Sequence, residues 1–155
     1  MFVFGMLVIG NFCFTNVCFA ESIKLSEGQT VYVPVYSHIY VARGQTFDLG
    51  ISLSIRNTDP IHPITILSAN YNNSEGKPVR NYLETPIQLN PLASTDFYVT
   101  ELDAAGGLGA SFLVKWKSAI EVNEPIIEGV MAGTKSGQGI SFVSRGKAIE
   151  DSSKK

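Results

Sequence analysis

An all-β fold is what this sequence predicts: an antiparallel two-sheet sandwich, immunoglobulin-like or fibronectin-like, of eight or nine short strands, with a small β-barrel as the alternative. Three observations carry the prediction. In "TFDLGISLSIRN", Phe47, Leu49, Ile51, Leu53 and Ile55 alternate with Asp48, Gly50, Ser52, Ser54 and Arg56, the period-two pattern of a sheet with one wet face. Clusters of Gly, Pro, Asn and Ser recur between such stretches. No window of ten residues or more keeps the apolar spacing of a helix, so nothing supplies the crossovers a parallel sheet needs.

Residues 1–20, "MFVFGMLVIGNFCFTNVCFA", carry no charge and end in Cys18-Phe19-Ala20 just before Glu21. They read as a signal peptide cleaved after Ala20, because Cys18 and Ala20 are small enough for a signal peptidase. Val17 before Cys18 and Phe12 before Cys13 do not suit lipidation. The run lacks a basic residue at its start, so the free amino terminus serves alone or translation begins upstream of Met1. The alternative is an inner-membrane anchor formed by residues 2–19, close to the roughly 18 to 20 apolar residues a span requires. Asn11 and Asn16 inside the run weigh against it.

Both cysteines, Cys13 and Cys18, lie in this leader, so the mature chain offers no disulfide, thiolate nucleophile or Cys-ligated metal. The 14 acidic and 12 basic residues all follow Ala20 and leave a net charge of −2, which gives no electrostatic footprint for nucleic acid. Residues 21–149 have the size of one domain, able to bury about two-thirds of the unfolded surface. The polar end, "EDSSKK", reads as a disordered tail over residues 150–155.

The strands follow in order. "VYVPVYSHIYV" supplies Val31 to Tyr36 and Ile39 to Ala42, with Pro34 placing the first at an edge or bend because it cannot donate to a ladder. The strong strand through Phe47 and Ile55 comes next, then Ile64 to Tyr71. "NNSEGKPV" is a hairpin loop with Gly76 at its left-handed position, leading to Val79 to Leu83. Ser94 to Thr100 precedes "GGLG", a connection at residues 106–109. In "ASFLVKWKS", Phe112, Val114 and Trp116 take one side and Ser111, Lys115 and Lys117 the other. Ile126 to Met131 and Ile140 to Ser144 complete the set.

Candidate chemistry is sparse. The loop "RNTDPIHP" holds His62, one of two histidines, between Pro60 and Pro63, with Asp59 near it. Each residue before a proline is driven extended, so the loop is stiff. A metal site needs three or four convergent donors, and His38 is far away in sequence; His62 is expected as an exposed turn residue. Ser141 and Ser144 near Arg145 have no "GxSxG" elbow. "GGLG" lacks the lysine and helix of a phosphate loop. Glu121, Glu124 and Glu128 flank Pro125 at no separation that defines a carboxylate pair. "NNS" at Asn72 matches a glycosylation acceptor. No cofactor, metal or catalytic residue is implied.

The one surface the sequence singles out is a stripe of Tyr32, Tyr36, His38 and Tyr40 opposite Val31, Val33 and Val35. Tyrosine gives large amphipathic contact area, and His38 adds a titratable group. These four residues are the expected partner-binding patch, with an envelope protein as the partner; packing of some tyrosines under a loop is the alternative.

Taken in order, "LSIRNTDP", "NSEGKPVRNYL", "LNPLAST", "GGLGASFLVKW" and "GTKSGQGISFVSRGKAI" resemble a bacterial family of small exported proteins known as domain of unknown function number three thousand one hundred and twenty-four. The resemblance covers residues 30–149 and is most specific around Gly139, Ser141, Phe142, Ser144, Arg145 and Gly146. It implies an exported bacterial location and assigns no activity. The expected function is a non-catalytic envelope interaction or binding module. The alternative is a periplasmic hydrolase or metal-dependent enzyme whose site forms only in the fold, with a histidine meeting at least two acidic or hydroxyl groups.

Overall fold

The structure, a computed structural model, describes residues 24–149; the signal peptide expected at residues 1–20 and the tail expected at 150–155 lie outside the described residues. It is all-β, with twelve strands rather than eight or nine. They are β1 (Leu25–Pro34), β2 (His38–Tyr40), β3 (Thr46–Asp48), β4 (Gly50–Arg56), β5 (Ile64–Asn72), β6 (Pro78–Asn81), β7 (Ile87–Leu89), β8 (Ser94–Val99), β9 (Ser111–Asn123), β10 (Ile126–Lys135), β11 (Gln138–Arg145) and β12 (Lys147–Ile149).

Every pairing among them is antiparallel. One sheet runs β12-β1-β9-β5-β6, with β7 also on β5; a second runs β11-β10-β4-β8; β2 and β3 form a separate ribbon. Each sheet is an open path, so none closes into a barrel. The inward residues of both sheets share one core: Val31 and Val33 from β1, Phe112, Val114 and Trp116 from β9, Ile51, Leu53 and Ile55 from β4, Ile127 and Met131 from β10.

The strong alternating stretch has the predicted register, with Phe47, Leu49, Ile51, Leu53 and Ile55 all buried. Yet it is two strands. The Leu49 N–H donates to the Ser37 carbonyl, and there the chain leaves the ribbon, where Phe47 pairs with Ile39, for the four-stranded sheet, where Ile51 pairs with Val99 and Met131. A similar hand-over occurs at Gly146. Its N–H donates to the Ile127 carbonyl, and the chain passes from β11 on the second sheet to β12 on the first. A Cβ at Gly146 would sit 2.6 Å from that carbonyl and from Val31 Cγ1, so the crossing needs glycine.

A bulge between Ile66 and Ser68 opposite β9 shifts the alternation of β5, which buries Ile64 and Ile66 before it and Ala69 and Tyr71 after it. The loop at Gly76 has the expected left-handed glycine, φ 75°. β10 and β11 are joined at Ser136 and Gly137, both at positive φ, the two-residue turn whose twist matches that of a hairpin.

A candidate binding groove

Where β10 and β11 end, the hairpin, β3 and the turn after β8 border a groove of about 710 Å³. Its small floor follows from Ala132, Gly133 and Gly139, which leave backbone and little side chain at the sheet end. Gly133 also lets β3 approach, since a Cβ there would lie 2.4 Å from the Asp48 carbonyl oxygen. Lys135 ties the hairpin to β3 by donating from Nζ to the Thr46 carbonyl at 2.9 Å. Asp48 thereby reaches one wall, Glu101 another, and Thr134 and Ser141 add hydroxyls.

Tyr98 stands beside the groove, against Glu101 of its lining. Its ring lies across Gly50, where a Cβ would be 2.9 Å from the phenol oxygen, and Gly50 pairs with Ala132 of the floor. The Tyr98 hydroxyl donates to Glu101 Oε2 at 2.9 Å. That bond raises the phenol above its usual range and keeps it a donor. Glu101 moves the opposite way: a backbone N–H and the Tyr98 hydroxyl hold its carboxyl below the usual range, so it is an anionic acceptor at neutral pH. Tyr98 is 54% exposed, an aromatic face fixed in orientation and open to solvent.

The expected tyrosine stripe is divided by the fold. Val31, Val33 and Val35 are buried as expected. Tyr32 stands on the outer face of the six-stranded sheet, paired across strands with Leu113 and Lys147. Tyr36 packs on the core with its ring 5.8 Å from that of Phe142. His38 and Tyr40 remain together on β2, rings edge-to-face at 5.8 Å. His38 is the cross-strand partner of Asp48, so the ribbon brings two of the four residues beside the groove.

The loop around His62 exposes Pro60, Ile61 and Pro63, and the His62 side chain is 41% exposed, as a turn histidine was expected to be, while Asn57 and Asp59 at its base are buried. Asp59 is 7% exposed and its carboxylate accepts from three backbone N–H groups, Ile61 and His62 on Oδ1 and Asn123 on Oδ2. Those bonds, Ile61's first, pull its pKa down to about 2. Asn57, also buried, donates from Nδ2 to the carbonyls of His62, Leu89 and Asn90 and accepts from the Asp59 N–H. Three loops are thus fastened at one end of the molecule. His62 Nδ1 lies 3.4 Å from Asp59 Oδ1.

The other sequence candidates do not converge. Ser141 and Ser144, three apart on β11, project from opposite faces. Glu124 accepts from Gln29, whereas Glu128 sits opposite Arg145 on the outer sheet face. Asn72 is buried in β5. Among the described residues, no three His, Cys, Asp or Glu side chains group as metal ligands, and no helix is long and apolar enough to cross a membrane.

The family model described as "Protein of unknown function (DUF3124)" matches residues 28–149. This chain belongs to that family. A search of curated proteins finds no match. A solved structure, "Crystal Structure of Thermotoga maritima 1070", aligns at 14% identity over 80% of this chain and 97% of its own, with a TM-score of 0.46.

Asp48, Glu101, Tyr98 and Lys135 were not singled out by the sequence. The available signals were the exposed Tyr98 between Phe97 and Val99 and the glycine-rich hairpin "GTKSGQG" that ends at Gly139, two residues before Ser141.

Proposed function

We propose that this chain is an exported, non-catalytic binding module of the bacterial envelope, built on an immunoglobulin-like or fibronectin-like sandwich and binding through the groove at the β10–β11 hairpin. The observation that carries the reading is the makeup of that groove: a Glu101 carboxylate held by Tyr98 beside it, a Lys135 ammonium tethered to Thr46 and a small-residue floor, the few polar anchors on a shaped surface that recognition requires.

The histidines favour binding over hydrolysis. His38 Nδ1 meets the Ser37 hydroxyl at 3.1 Å, and His62 meets Asp59, whose Oδ1 is committed to backbone N–H groups. Among the described residues no carboxylate is hydrogen-bonded to His38, and the one carboxylate beside His62 is already held, so neither ring has the two free partners a catalytic site would assemble around it. Glu101 is unsuited to act as a general acid, because its carboxyl is held ionised rather than protonated. The export half of the proposal rests on the leader at residues 1–20, cleaved after Ala20.

The test combines fractionation with amide exchange. Amino-terminal sequencing of the protein from the envelope fraction returns Glu21, and exchange in the presence of envelope extract slows at Thr134 to Ser141 and around Glu101. A protein that begins at Met1 in the membrane fraction contradicts cleavage after Ala20 and favours the anchor, and protection confined to the Tyr32 face contradicts the groove.

A further inference from the structure

We infer that the groove takes a neutral oligosaccharide, an assignment that rests on the groove being the binding site. Three features of the walls select the ligand. Asp48 and Glu101 oppose an anion such as a phosphate or a uronic acid. Lys135, whose ammonium is held at the Thr46 carbonyl, sets one positive charge beside the two carboxylates. This mixture suits an uncharged ligand rich in hydroxyl groups, for which carboxylates are strong acceptors and an ammonium and hydroxyls are donors.

Tyr98, beside the groove, supplies the rest of the recognition. A pyranose presents a face of C–H groups, and a tyrosine ring held flat and exposed is the surface on which such a face packs. Tyr98 meets both conditions because Gly50 lies beneath it and Glu101 holds its hydroxyl. Glu101 keeps a second oxygen for a sugar hydroxyl. Ser141, also in the lining, is exposed, so a large side chain there intrudes on the groove.

The experiment is calorimetric titration of the full chain with cellohexaose, chitohexaose and maltohexaose, and with hexalysine and a heparin hexasaccharide as charged probes. At least one neutral sugar binds and is recovered intact; Tyr98→Ala weakens it about tenfold or more, and Ser141→Tyr abolishes it. Ser141→Tyr alters an exposed position and keeps the test decisive if Tyr98→Ala does not fold. Binding of hexalysine alone, blocked by Ser141→Tyr, overturns the sugar assignment and leaves the groove as a binding site. Sugar binding that survives both substitutions, or no binding of any probe, overturns the inference, and release of shorter sugars overturns the non-catalytic reading.

Discussion

Replacing Asn57 by alanine tests how the loops at one end of the molecule are held. The side chain is 2% exposed, donates to the His62, Leu89 and Asn90 carbonyls at 2.9, 3.3 and 3.0 Å, and accepts from the Asp59 N–H at 3.0 Å. A buried hydrogen bond contributes about 0.5–1.5 kcal/mol net, and each partner left unpaired adds its desolvation cost. Two amide hydrogens serve three carbonyls, so one contact is shared, and the loss comes to about 2–4 kcal/mol. Asn57→Asp costs more, because it sets a carboxylate against three carbonyl oxygens where the amide donated. The assay is urea unfolding followed by tryptophan emission from the buried Trp116, with the midpoint falling and the slope unchanged. An Asn57→Ala protein within about 0.5 kcal/mol of the parent, the range of an ordinary surface substitution, would refute the reasoning and mean that solvent replaces these bonds without loss.

Leu53→Ala lowers stability by about 2–5 kcal/mol because Leu53 is fully buried, while Ser54→Ala on the opposite face of β4 is nearly silent; equal midpoints for the two would place the register wrongly. Gly133→Ala forces a Cβ against the Asp48 carbonyl, so it displaces β3 and weakens groove binding more than an exposed hairpin change such as Gln138→Ala, read by titration. Asp59 has its pKa lowered from 3.8 to about 2 by backbone N–H groups. Its contribution to stability is therefore complete above about pH 4 and is lost as pH falls towards 2. Midpoints measured against pH show this decline in the parent and a flatter profile in Asp59→Asn.

The alternation from Phe47 to Ile55 was legible because burial on one face of a strand is written directly into period two. The division at Leu49 was not, since it depends on where the Ser37 carbonyl lies, and Ser37 reaches it only through the path of β1. β7 and β12 are three residues each, too short for a period to show. The Tyr32 to Tyr40 stripe obeyed its alternation, but a face of one strand need not remain one surface when the chain passes from sheet to ribbon. Asp59 was legible as loop chemistry through the proline that follows it, whereas its burial required Asn123 from the end of β9. The groove was hidden for the same reason: Asp48, Glu101 and Ser141 lie far apart in sequence and meet only when the β10–β11 hairpin is fastened to β3.

The central claim is recognition without turnover at that hairpin, and amide chemical shifts of the labelled full chain titrated with a neutral hexasaccharide test it most directly. The account predicts saturable shifts concentrated at Gly133, Gly139, Ser141 and Glu101, with the sugar spectrum unchanged after prolonged incubation. Shifts concentrated around Tyr32 and Lys117, or the steady appearance of new reducing ends, would contradict it.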